Sequence, residues 1–148
     1  MMKILQVLFL GLTFAMALAS CRDEERASPN ETYRAYYAKV IAGRSFDEDL
    51  EYHAKLRRQE VLVGLQTRAA NSSQTVEEIE TLYLNFTQQI AECGSLALSE
   101  EKVVGDTASL VYAVTDSCTG NQNSQLYVEM VYEGGWRIQS DLLKVASD

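Results

Sequence analysis

The chain carries one histidine, His53, and its spacing from Asp49 suits general-base chemistry. Residues four apart on a helix share a face, so Asp49 can orient one side of the ring while the other nitrogen takes a proton. The same spacing also fits an ordinary surface or packing histidine. Among eight tyrosines, Tyr33, Tyr36 and Tyr37 fall in one stretch and Tyr112, Tyr127 and Tyr132 in later ones. Their hydroxyls can line a ligand pocket and hydrogen-bond a substrate oxygen, or close the margin of a small core with the ring buried and the tip wet. Asp116 and Asp141 fall near expected strand ends and can supply an acid, with no partner identifiable by spacing. The sequence has no glycine-rich phosphate loop and no nucleophile elbow. With one histidine and no Cys-x-x-Cys spacing the soft ligands are too few for structural zinc. Asp47-Glu48-Asp49 lacks the glycine turn of a calcium loop and reads as a solvated, dipole-matched helix start. No metal and no cofactor is expected, and His53 is the one catalytic candidate.

Residues 1–20 differ in kind from the rest. Lys3 is their only charge, and Ile4 to Ala19 form an apolar run broken by Gln6, Gly11 and Thr13. As a helix that run reaches about 24 Å, short of the roughly 30 Å hydrocarbon core, which favours a cleaved signal over a permanent span. It ends in Leu18-Ala19-Ser20-Cys21, small residues before a cysteine, and this resembles the lipobox of bacterial lipoproteins. In that family the thiol, here Cys21, accepts a diacylglycerol, the peptidase cuts before it, and the new amino group is acylated, commonly with palmitate. Two or three acyl chains hold a protein stably where one is marginal. The resemblance implies a bacterial cell envelope protein, and Arg22 in place of Asp after the cysteine implies the outer membrane, facing the periplasm. The alternative is an ordinary secretory signal with Cys21 left as a thiol or disulfide partner.

The formal net charge is −8, and removing residues 1–20 makes it one unit more negative. That balance argues against nucleic acid and against adsorption to anionic lipid. It leaves basic proteins and neutral ligands as partners. Three cysteines are an odd count for an exported chain; with Cys21 lipidated, Cys93 and Cys118 remain as a pair that an oxidising periplasm would bridge. A two-residue turn at Gly105-Asp106 sets a hairpin register that brings these two directly opposite each other, unless a bulge shifts it by one.

Residues 21–28 read as the lipidated cysteine and a charged tether, and 29–148 as a single domain. Ser28-Pro29-Asn30-Glu31 is a capping box with Pro at the first helical position, and Gly43 can end that helix. Ser45-Phe46-Asp47-Glu48 opens a second helix through about Gln66, followed by a polar linker over 67–75. Thr75-x-x-Glu78 starts a third, with Val76, Ile79, Leu82, Tyr83, Phe86 and Ile90 on one side and a stop at Gly94. The period then becomes alternating, with strands expected near 95–103, 107–116, 125–133 and 136–144, a loop over Thr119 to Ser124 and a turn at Gly134-Gly135. Helices first and an antiparallel sheet afterwards is the α+β pattern.

Three helices followed by a four-stranded meander, with Gly134-Gly135-Trp136-Arg137-Ile138 after the last turn, resemble the nuclear transport factor 2-like superfamily. The resemblance implies a cone, N-terminal helices packed on a curved C-terminal sheet; a cystatin-like helix-on-sheet arrangement is the alternative. Small lipoproteins of this organisation are common in that group. Some members, the ketosteroid isomerases and SnoaL-like cyclases, move protons with a pocket Asp, His or Tyr. Many others only bind or dimerise, so a homodimer stays open. Two functions are expected. The first is a membrane-anchored periplasmic binding or interaction module, not an enzyme, holding an envelope protein or a small apolar ligand, with an inhibitor or immunity-type factor as one form. The second is a SnoaL-like isomerase or cyclase using His53 or a pocket Asp or Tyr.

Overall fold

The computed structural model describes residues 26–120 and 124–145. The expected signal segment, Cys21 and most of the tether lie outside the described residues. Four helices come first, α1 (Pro29–Ala42), α2 (Phe46–Tyr52), α3 (Lys55–Ala70) and α4 (Val76–Cys93). Four strands follow, β1 (Gly94–Val104), β2 (Thr107–Asp116), β3 (Ser124–Tyr132) and β4 (Trp136–Val145). They pair as an antiparallel meander in the order β1-β2-β3-β4, so the arrangement is α+β with the helices N-terminal to an open sheet. Among the described residues no helix is long and apolar enough to cross a membrane.

Local sequence accounts for the helix starts. Ser28 with Glu31, Ser45 with Glu48 and Thr75 with Glu78 each form a reciprocal capping box, in which both backbone N–H groups are taken up by side chains. Gly43 closes α1 at φ 85°, a conformation glycine adopts without penalty. Tyr33, Tyr36 and Val40 of α1 and Ala91 of α4 pack on Leu110, Tyr112, Val128, Met130 and Ile138 of the sheet, and this is the core.

One expected helix is two. The segment opened by Ser45 breaks at His53-Ala54, both in extended backbone. Nothing local marks the break, since neither residue is Gly or Pro. Its cause is tertiary: Ala54 N–H donates to the Ile138 carbonyl at 2.8 Å, making a one-residue parallel bridge between His53 and the edge of β4. Arg58 Nε donates to the His53 carbonyl at 2.8 Å, which gives that group a partner outside the helix. The α3 helix then runs to Ala70, past the expected end near Gln66, and shortens the linker.

Two bulges shape the sheet. Pairing skips Ser99 on β1 and Gln139 on β4. A skipped residue reverses which side the following side chains face. On β4 the inward set passes from Trp136 and Ile138, which are buried, to Asp141 and Leu143. On β1 the bulge shifts the register by one beyond it, so Gly94 faces Asp116. Cys93 therefore does not sit in the ladder opposite Cys118; it is the last residue of α4, and Cys118 lies in the turn after β2. The two still meet at disulfide distance, with Cα atoms 5.3 Å apart.

Candidate functional site

The helices and the lower half of the sheet enclose a cavity of about 420 Å³. Its walls come from Tyr33, Tyr36, Tyr37 and Val40 of α1, from Phe86, Ile90 and Ala91 of α4, and from Leu96, Val114, Leu126 and Leu143 of the strands. Bulge-turned Asp141, together with His53, Arg57 and Tyr83, supplies the polar groups. Phe86, Ile90 and Leu143 are exposed on one side and line the cavity on the other, so they form its rim. Gly94 admits the Tyr37 hydroxyl, which a Cβ there would meet at 2.6 Å. That hydroxyl donates to the Ala91 and Gly94 carbonyls at 3.1 and 3.2 Å, fixing α1 against the end of α4.

Behind the cavity lies a buried ion pair. Asp49 is fully buried, and so is the Arg44 side chain beside it. The Asp49 carboxylate accepts from Arg44 Nε, from the Tyr36 hydroxyl at 3.0 Å and from the Tyr83 hydroxyl at 3.1 Å. Arg44 also donates to Thr87 Oγ1 at 3.2 Å. The reading of Asp47-Glu48-Asp49 as a solvated helix start is thus corrected for Asp49. A carboxylate can be buried here because a guanidinium and two hydroxyls replace its water.

His53 is buried and faces the cavity, with its Nδ1 2.9 Å from the Asp49 backbone carbonyl. A carbonyl only accepts, so Nδ1 carries the proton and Nε2 of the neutral ring is an acceptor. Asp49 does orient His53 as expected, but through its main chain; the nearer carboxylate oxygen stands 3.8 Å from Nδ1 and is committed elsewhere.

The fold gathers Tyr33, Tyr36, Tyr37, His53 and Asp141 at the cavity and leaves the other candidates outside. The Asp116 carboxylate accepts from the Cys118 and Thr119 amides and the Thr119 hydroxyl, which holds it below the usual carboxylate range and ties down a turn. Tyr112 stacks on Tyr33 in the core and donates to Asn30 Oδ1 at 2.9 Å. Its own value is pushed up to about 12, first by burial and then by Glu101. Tyr127 lies under Lys144 and bonds Gln125 on the outer face, and Tyr132 meets Trp136 edge-on at the far end of the sheet. Arg44, Arg57 and Tyr83 were not singled out as site residues. Tyr83 carried one usable signal, a polar tip on the apolar side of its helix.

Burial raises Tyr33, Tyr36 and Tyr83 well above the ordinary phenol value, with Asp141 the next cause for Tyr33 and Asp49 for the other two. A raised folded value means the native chain keeps protons that the unfolded chain loses, so this stability is fully present below pH about 10 and falls above it. In an alkaline titration, phenolate absorbance from these residues is expected to rise only together with loss of circular dichroism; their ionisation in a still folded chain would contradict it. Asp49→Ala leaves Arg44 buried without its counter-charge, and urea unfolding is expected to show a loss of about 3–5 kcal/mol. A loss below about 1 kcal/mol would show the pair is not what holds these segments.

Compared with protein-family models, curated proteins and solved structures, the chain matches none of them.

Proposed function

We propose that the chain is a lipid-anchored binding module of the bacterial envelope that holds a small apolar ligand in this cavity. Its volume falls within the roughly 300–1,000 Å³ range of ligand sites, and its mostly apolar wall with a few convergent polar groups has their usual composition. The observation that carries the reading is where the cavity lies relative to the tether. Arg26 ion-pairs with Asp106 at 3.4 Å and stacks on the Tyr132 ring, which puts the start of the described chain at the turn end of the sheet. The cavity-lining strand residues Leu96, Val114, Leu126 and Leu143 belong to the opposite end. From Val104 to Leu96 the strand spans about 26 Å, and the chain from Cys21 to Arg26 reaches at most about 18 Å. A lipid on Cys21 would thus hold the turn end near the membrane, with the cavity at the far end and open to ligand from the periplasm.

A second reading, proton transfer by a SnoaL-like enzyme, is favoured by one observation: His53 is anchored through Nδ1 beside the cavity, leaving Nε2 for a substrate. Nε2 can equally bind without turnover, and the apolar wall serves either use.

Leu126→Trp is expected to fill the cavity and weaken binding of an environment-sensitive naphthalene dye at least about tenfold, with wild-type secondary structure retained. Equal dye affinity in a folded variant would remove the cavity as the ligand site. For the anchor, Cys21→Ala should accumulate as uncleaved precursor that incorporates no labelled palmitate. Normal lipidated product from that variant would refute the assignment.

A further inference from the structure

The polar groups left without partners inside the cavity are specific in kind. Tyr33 and His53 are 2% and 3% exposed, and among the described residues neither the Tyr33 hydroxyl nor His53 Nε2 has a hydrogen-bond partner. The one side-chain nitrogen or oxygen that is both sealed from space and unpartnered there is Arg57 Nε. The Tyr33 hydroxyl and His53 Nε2 are therefore unsealed, and the space they open on is the cavity they line. The Asp141 carboxylate, brought to the same wall by the Gln139 bulge, is exposed to solvent there and makes no hydrogen bond or ion pair among the described residues. Arg57 offers the ligand little, with Nε enclosed and Nη1 turned toward Glu60 at 3.5 Å.

These groups have a definite sense. His53 Nε2 accepts, because Nδ1 is the donor to the Asp49 carbonyl. A carboxylate such as that of Asp141 accepts, and the Tyr33 hydroxyl does both. An ether or ester head would leave His53 Nε2 without a donor, and a carboxylate has none to offer it either. A cation gains little, since Asp141 is open to water, which screens its charge, and an ammonium cannot accept from Tyr33. A hydroxyl matches the set: it donates to His53 Nε2 or Asp141 and accepts from Tyr33. We propose that the cavity is selective for apolar molecules ending in a hydroxyl, with His53, Asp141 and Tyr33 reading that group. This rests on the cavity being a ligand site, the reading given under Proposed function.

The test titrates the full-length protein in lipid nanodiscs, with empty nanodiscs subtracted, using four probes of equal chain length: 1-octanol, 1-methoxyoctane, octanoate and octylamine. Octanol is expected to bind at least about tenfold more tightly than each of the others, the worth of a hydrogen bond to a charged or strongly accepting group. His53→Phe and Asp141→Leu are each expected to reduce the octanol over methoxyoctane preference to below about threefold. The circular dichroism of each variant is expected to match wild type, which reports an intact fold. Equal binding of all four probes would overturn the head-group selectivity and leave the binding-module reading standing. Tighter octanoate or octylamine would overturn it in favour of an ionic head, and an octanol preference that survives when His53→Phe and Asp141→Leu are combined would overturn the assignment of the selectivity to these residues. If no probe binds, both this selectivity and the cavity reading fall.

Discussion

The carboxylate of Asp49 is the group that the helical half of the molecule is arranged around. Placing a charge where no water reaches costs several kcal/mol, and the cost is tolerable only if every lone pair it presents is met. Arg44 from the α1–α2 connection, Tyr36 from α1 and Tyr83 from α4 meet it, so three separate stretches are fixed relative to α2 through one side chain. Net stabilisation from such a pair is modest, but the geometry it demands is narrow. The Asp49 carbonyl extends the same control to the His53 ring.

The sheet contributes the other half of the site by interrupting its own alternation. Had β1 and β4 been regular, Asp141 and Leu143 would point away from the helices and the lower half of the sheet would present a different wall. One extra residue in each edge strand, Ser99 and Gln139, instead lets β4 bury Trp136 and Ile138 before its bulge and turn Asp141 and Leu143 to the cavity after it, while β2 and β3 keep their alternation throughout. Core and cavity share one sheet because the parity of its edge strands changes midway.

Features encoded by neighbouring residues were legible in the sequence. Ser28, Ser45 and Thr75 with their glutamates announced the helix starts, and Gly105-Asp106 and Gly134-Gly135 the two tight turns, so the strand limits fall within a residue or two of expectation. His53, Asp141 and the α1 tyrosines were named as candidates and do converge. Features set by distant partners were not legible. The break at His53-Ala54 answers to the Ile138 carbonyl on β4, and Asp49 looks solvated until Arg44, Tyr36 and Tyr83 fold over it. The Cys93 and Cys118 pairing followed from cysteine parity and the hairpin turn, yet the bulge that displaces their register leaves no mark in residue type.

The single bridge from His53 to Ile138 also bears on how neighbouring molecules behave. β4 is an edge strand, and unpaired edges are templates for adding strands from other chains. The bridge occupies that edge at Ile138, and the Gln139 bulge, Asp141 and Lys144 interrupt the stretch beyond it with a kink and two charges. The devices that form the cavity wall therefore also discourage edge-to-edge polymerisation.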